Sequence, residues 1–259
     1  MTYLPRVAAA TEAEWPDLAV ELDRWEEAGR SAGLWWRDDD AVASTPQLDR
    51  LLRLAGGVPL ALSVIPADAR ASLARALDPF PQVAVLHHGW CHANRATSGK
   101  KSEYPAERHP VDVADELDEG RKQLRALFGA RALPVFVPPW NRFADRFLPL
   151  LAEAGLIAIS QQAPRKVPLP EGIVAIDVQL DVTDWHGDCG FVGDGPALAR
   201  LLAELRRRRE DWDGGAIGIL THHLVMDAAT EDFLGRLGEM VAWHPGARWL
   251  GGHELLAPR

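Results

Sequence analysis

The stretch from His87 to Asn94, HHGWCHAN, carries three histidines within six positions. His88 and His92 are four apart, so one helical turn or a tight loop would aim both rings at one point. That is a metal-ligand spacing, yet two imidazoles do not fill a metal's shell, so further ligands must come from elsewhere in the chain. Four more clusters of reactive residue types stand along the sequence. They are the triplet Asp38-Asp39-Asp40, the run Pro138-Pro139-Trp140-Asn141-Arg142, the stretch DVTDW from Asp181 to Trp185, and Leu220-Thr221-His222-His223.

These groups need elements to position them, and the hydrophobic pattern supplies a regular alternation. Short runs rich in Val, Leu and Ile predict strands over 34–37, 59–65, 82–87, 133–137, 156–160, 173–178, 216–221 and 247–250. Amphipathic stretches with helical spacing lie between them. TPQLDRLLRLA opens with Thr45 as N-cap and Pro46 at the first helical position, and VDVADELDEGRKQLRALFG ends on Gly129 as C-cap. Apolar strands alternating with helices imply parallel strands buried on both faces. Seven or eight such units in 259 residues predict an α/β fold, a distorted (β/α) barrel forming a single domain over 1–259. In such a barrel reactive groups gather at the C-terminal ends of the strands. Each of the five clusters falls at such an end. Any one of them could be a solvated turn, a core tryptophan or an incidental histidine; five together at strand ends mark a site.

The bulk properties narrow the partners. The formal net charge is −9 and 47% of residues are hydrophobic. Apart from Arg206–Arg209, which is followed by Glu210 and Asp211, no basic stripe is present, so nucleic acid is not an expected partner. No apolar run approaches ~18 residues, so no membrane span is expected. Two cysteines and no evident export signal lead to the expectation of a cytoplasmic protein.

The order of the five clusters resembles the polysaccharide deacetylases, carbohydrate esterase family four. Their pattern is an Asp-Asp pair after the first strand, H-x-x-x-H, R-x-P-P-aromatic, D-x-x-D-W and L-x-H. This chain offers the aspartate triplet, His88 to His92, Val137-Pro138-Pro139-Trp140, Asp181 to Trp185, and Leu220-Thr221-His222, all between 34 and 223. The resemblance implies metal-dependent removal of an acyl group from an N-acylated amino sugar or related carbohydrate amide. It implies His88, His92 and one aspartate, Asp40, as ligands of a divalent ion, Zn²⁺ first and Co²⁺, Ni²⁺ or Mn²⁺ as alternatives. Such an ion lowers the pKa of water to about 7. Asp39 would be the general base and His222 the general acid, with Asp184 behind His222 holding it protonated. The backbone N–H of Trp140 would face the oxyanion, and Trp140 and Trp185 would wall a sugar ring.

Two departures from the pattern stand out. The arginine that orders the base is replaced by Val137, and either Arg142 or Arg37 could supply its charge. The triplet also allows two registers, Asp38/Asp39 or Asp39/Asp40. The second is preferred because the small Ala41 then follows the ligand, which leaves Asp38 a tolerant position that pairs with an arginine such as Arg142. His87 and His223 are expected to serve structural or supporting roles. The long polar connection 93–111 is expected on the substrate side, with Tyr104, Arg95, Arg108, His109 and Arg142 offered to the sugar. The alternative function is a catalytically impaired, carbohydrate-binding relative. An unrelated metallohydrolase is disfavoured, since neither H-x-H nor H-E-x-x-H occurs.

Overall fold

The computed structural model describes residues 12–164, 167–211 and 214–257. The strands are β1 (Ala32–Ala41), β2 (Leu60–Val64), β3 (Val83–His88), β4 (Ala132–Val137), β5 (Ala158–Ile159), β6 (Val174–Ala175), β7 (Val178–Asp181), β8 (Ile217–Thr221) and β9 (Ala247–Trp249). The helices are α1 (Trp15–Glu27), α2 (Pro46–Ala55), α3 (Ala71–Leu77), α4 (Pro110–Phe128), α5 (Leu148–Glu153), α6 (Asp194–Glu210), α7 (Ala228–Trp243) and α8 (Gly252–Leu255). None of them is long and apolar enough to cross a membrane.

Local sequence explains several boundaries. Thr45 caps α2 by accepting the Leu48 N–H at 3.1 Å, and Pro46 follows in the first turn, where its missing N–H costs nothing. Gly129 ends α4 at φ 57°, a conformation other residues adopt only at a cost. Asp227 caps α7 through the Thr230 N–H.

All strand pairings are parallel, in the order β6-β5-β4-β3-β2-β1-β8-β7, with β9 added alongside the start of β1. Two strand predictions are revised. Asp38, Asp39 and Asp40 lie inside β1 rather than after it, because the ladder to β2 continues to Ala41 through an irregular register. The predicted strand 173–178 is divided. Its first part, β6, pairs with β5, whereas Val178 begins β7 and pairs with β8 at the other edge of the sheet. An isolated bridge between Gln162 and Val178 joins those edges, so this one segment curls the sheet into a distorted barrel.

Alternation along β1 assigns its tryptophans to different layers. Trp36 packs outward with Leu18, Leu52, Leu201 and Phe233 beneath the helices, while Trp35 packs with Leu86, Val135, Val178 and Leu220, and Leu255 of α8 joins this inner cluster. Gly218 of β8 makes room for the Trp35 ring. A Cβ there would lie 2.6 Å from Trp35 Nε1 and 2.8 Å from the Val178 backbone. Gly218→Ala should therefore overpack the interior and lower the unfolding free energy by about 1–3 kcal/mol, read as an earlier midpoint in urea.

Candidate metal centre

Because every strand is parallel, the chemistry-bearing ends of β1, β3, β4, β7 and β8 share one rim. The aspartate triplet shows how they are sorted. Arg37 and Asp39 are two apart on β1 and face the same side; Arg37 Nη2 donates to Asp39 Oδ2 at 2.9 Å, with both residues buried. Asp38 faces the opposite side, accepting from Thr221 Oγ1 at 2.6 Å and from His223 Nδ1 at 2.6 Å. At Asp40 the backbone turns into the left-handed region, φ 74°, and the carboxylate swings up to the rim.

There Asp40 meets both histidines. Its Oδ1 lies 3.1 Å from His88 Nε2 and 3.3 Å from His92 Nε2. One ligand atom from each of Asp40, His88 and His92 lies within 4.8 Å of the others. His88 ends β3, and its Nδ1–H donates to the Val137 carbonyl at 3.0 Å, which leaves Nε2 facing Asp40. An outer hydrogen bond of this kind fixes the tautomer that a metal-binding imidazole needs. His92 is held at φ 54°, its ring tilted against Trp140 with centroids 4.3 Å apart.

The electrostatics suit a cation. Burial by itself would raise the Asp40 pKa, but the hydrogen bond from His88 and the His88 and His92 charges hold it well below the usual carboxylate range. Burial likewise works against the charged forms of Asp39 and His88. For Asp39 the Arg37 charge, joined by His88, His222 and Ser63, outweighs it and the pKa is lowered; for His88 the two aspartates outweigh it and the pKa is raised. Asp39 Oδ1 is buried with no hydrogen-bond partner among the described residues. Two imidazoles, one carboxylate and an unpaired carboxylate oxygen beside them fit a divalent ion with a position left open for water.

The charge for Asp39 comes from Arg37, not Arg142. Arg37 Nη1 also donates to Ser160 Oγ at 2.6 Å, and Nη2 reaches Asn141 Oδ1 at 3.3 Å. Arg142 instead donates to the Lys101 carbonyl at 2.7 Å, tying the turn after β4 to the long connection. The expected pairing of Arg142 with Asp38 is not formed, since Asp38 is taken by Thr221 and His223. In the turn itself, Trp140 and Asn141 both have positive φ, 54° and 56°.

His222 follows β8, directly after Thr221, which pairs with Asp38 of β1. Its Nδ1 is buried and has no partner among the described residues, and its ring meets Trp185 edge-on at 4.7 Å. The expectation that Asp184 stands behind His222 is corrected. The Asp184 carboxylate accepts the backbone N–H groups of His186 and Gly187, each at 3.1 Å, and so shapes its own loop. Trp185, the ring that meets His222, donates its Nε1–H to Asp181 Oδ2 at 2.9 Å.

Tyr104 is also corrected. It is wholly buried with Phe136, Phe143 and Phe147, and no sugar could reach it. Arg108 pairs with Glu116, and His109 caps α4 while remaining exposed, as does Arg95. His87 packs neutral, its pKa pushed down to about 3 by burial, in contact range of Gly120 and edge-on to Phe136.

The buried Asp38–His223 pair changes the expectation for Asp38. Burial would lower the His223 pKa, but the Asp38 charge and hydrogen bond raise it. Asp38→Asn should therefore cost roughly 3–5 kcal/mol of unfolding free energy, the usual penalty for stranding one member of a buried pair, instead of being tolerated. Chemical denaturation of the variant measures this directly.

No family model matches the sequence, and no curated protein matches it. Solved structures do. A protein from Mycobacterium smegmatis named as a polysaccharide deacetylase aligns with TM-score 0.64 at 19% identity, over 97% of this chain and 93% of that one. A family-four acetyl xylan esterase from Clostridium thermocellum, solved with a cobalt ion, gives 0.54 at 16%, over 86% and 90%. A mutant of a family-four pseudoenzyme with restored enzymatic activity gives 0.54 at 16%, over 88% of this chain and 68% of that one. The last shows that the architecture occurs with and without activity, so function has to be argued from the site. The chain has the fold of the polysaccharide deacetylases and family-four carbohydrate esterases.

Proposed function

We propose that this chain is a divergent relative of the polysaccharide deacetylases that hydrolyses the acyl group from an N-acylated amino sugar, using a divalent metal ion. The observation that carries the reading is the meeting of Asp40, His88 and His92 beside an arginine-held Asp39, with His222 at the end of the neighbouring strand β8. Asp40, His88 and His92 would hold the ion, and Zn²⁺ suits two imidazoles and a carboxylate, with Co²⁺, Ni²⁺ or Mn²⁺ as alternatives. When bound, such an ion activates water and polarises the amide carbonyl.

The remaining steps belong to the protein. Asp39 accepts the proton of the attacking water at Oδ1, the oxygen not engaged by Arg37. Arg37 keeps Asp39 ionised and fixes its orientation. The Trp140 backbone N–H faces the developing oxyanion. His222 delivers a proton to the leaving nitrogen, its ring steadied by Trp185 and, through Trp185, by Asp181. Trp140 and Trp185, the latter 47% exposed, offer apolar faces to the sugar ring. Both cysteines are free thiols, as a reducing, cytoplasmic setting would leave them.

Acetate release from a panel of N-acetylated sugars, with and without added Zn²⁺ or Co²⁺, tests the reading. Asp40→Asn should lose both metal and rate. Asp39→Asn should keep the metal and lose turnover. His222→Ala should keep the metal and lower kcat by roughly 10²–10⁴. If the metal binds and sugars quench tryptophan fluorescence but no sugar is turned over, the impaired sugar-binding alternative replaces this one.

A further inference from the structure

Glu103 is wholly buried, lies outside the aspartate, histidine and tryptophan clusters, and takes no part in the chemistry described above. Its carboxylate serves the backbone of the loop that carries His92. Oε1 accepts the Cys91 N–H at 2.8 Å and the Cys91 thiol at 3.3 Å, and Oε2 accepts the Trp90 N–H at 3.2 Å. These are charge-assisted bonds to two successive amides, a geometry that defines the path of the backbone more tightly than a single contact can. The chain enters this loop through Gly89 at φ 61°, where any Cβ would collide with Glu103 Oε2 and with the Pro139 ring. Glu103, Gly89 and Pro139 thus form one packed junction between the His92 loop and the turn that carries Trp140. On the far side of His92, Asn94 Oδ1 accepts the Ser102 N–H at 3.0 Å and Ser102 O accepts the Arg95 N–H at 2.8 Å, so the chain returns immediately to Glu103.

We propose that Glu103 is a positioning residue: it braces residues 90–91 so that His92, strained at φ 54°, is aimed at Asp40 and His88 before any ion arrives, and it thereby sets the affinity of the metal centre. The proposal rests on the metal-binding reading given above. It also accounts for the long connection after His92, whose buried base, Ser102 to Tyr104, reaches back under the ligand loop while its tip at 97–101 is exposed.

Glutamine at 103 keeps the shape but presents an amide NH₂ to one of two backbone donors. Titrating the purified full chain with Zn²⁺, and with Co²⁺ for its visible absorption, should show a dissociation constant raised about 10–100-fold in Glu103→Gln, the range for losing an outer partner of a metal ligand. The apo protein should melt within a few degrees of the parent. Glu116→Gln, which breaks the ion pair to Arg108 at the other end of the connection, should leave metal affinity unchanged. In a His92→Ala background, Glu103→Gln should have no further effect, because its influence passes through His92. An affinity within twofold of the parent in Glu103→Gln, or an equal loss with and without His92, overturns the proposal. If Glu103→Gln does not fold, Glu103→Asp, which keeps the charge but withdraws the oxygens, takes its place under the same criteria. If the parent and His88→Ala bind Zn²⁺ alike, the metal-binding reading itself has failed.

Discussion

The buried pair of Arg37 and Asp39 is the interaction on which the rest of the site depends. Two charges taken out of water carry a large desolvation penalty, and their attraction offsets it only when the remaining donors and acceptors also find partners. The two terminal nitrogens of Arg37 find them in Ser160 and Asn141, although its Nε and Asp39 Oδ1 stay without a hydrogen-bond partner among the described residues, and the Ser160 hydroxyl donates to the Ile176 carbonyl at 2.8 Å. One guanidinium therefore links β1 to the residue after β5 and to the turn after β4. These are segments of the sheet half that must curl around to meet β7. The pair that orders the proposed base also helps to draw the barrel closed.

Strain is concentrated beside that pair. Among the described residues five non-glycine residues have positive φ, and four of them, Asp40, His92, Trp140 and Asn141, stand around the metal centre. Each such conformation costs of order 1–3 kcal/mol and persists only where its surroundings enforce it. The enforcement is visible: the β1 ladder and the Asp38–His223 pair precede Asp40, Glu103 grips the amides before His92, and Pro138 and Pro139 precede Trp140. Packed and hydrogen-bonded neighbours thus hold these groups in place.

The three aspartates illustrate how one short stretch acquires three roles. The period-two alternation of a strand separates Asp38 from Asp39, and the left-handed turn at Asp40 breaks the alternation and sends the third carboxylate to the rim. The same logic divides the histidine pairs. At His87–His88 and His222–His223 one ring of each pair serves the rim and the other packs away from it, His87 against Phe136 and His223 against Asp38.

The alternation of strands and helices, the caps of α2 and α4, and the gathering of the reactive clusters toward one end of the strands were legible in the residues alone, because periodicity, capping and parallel pairing are local or nearly local properties. The meeting of His88 and His92 with an aspartate was legible from their spacing and from the resemblance in motif order. Only the tertiary structure decided which partner each charged group takes. Arg37 rather than Arg142 holds Asp39, Asp184 binds the amides of its own loop while Asp181 holds Trp185, and Tyr104 is core rather than substrate wall. In each case the choice turns on which strand lies beside which and on which face a side chain leaves its backbone. It also decided that 173–178 is two strands at opposite edges, and that Glu103 lies beneath His92. A buried carboxylate in a polar connection looks in sequence like any exposed one, and only folding reveals the two backbone amides waiting for it.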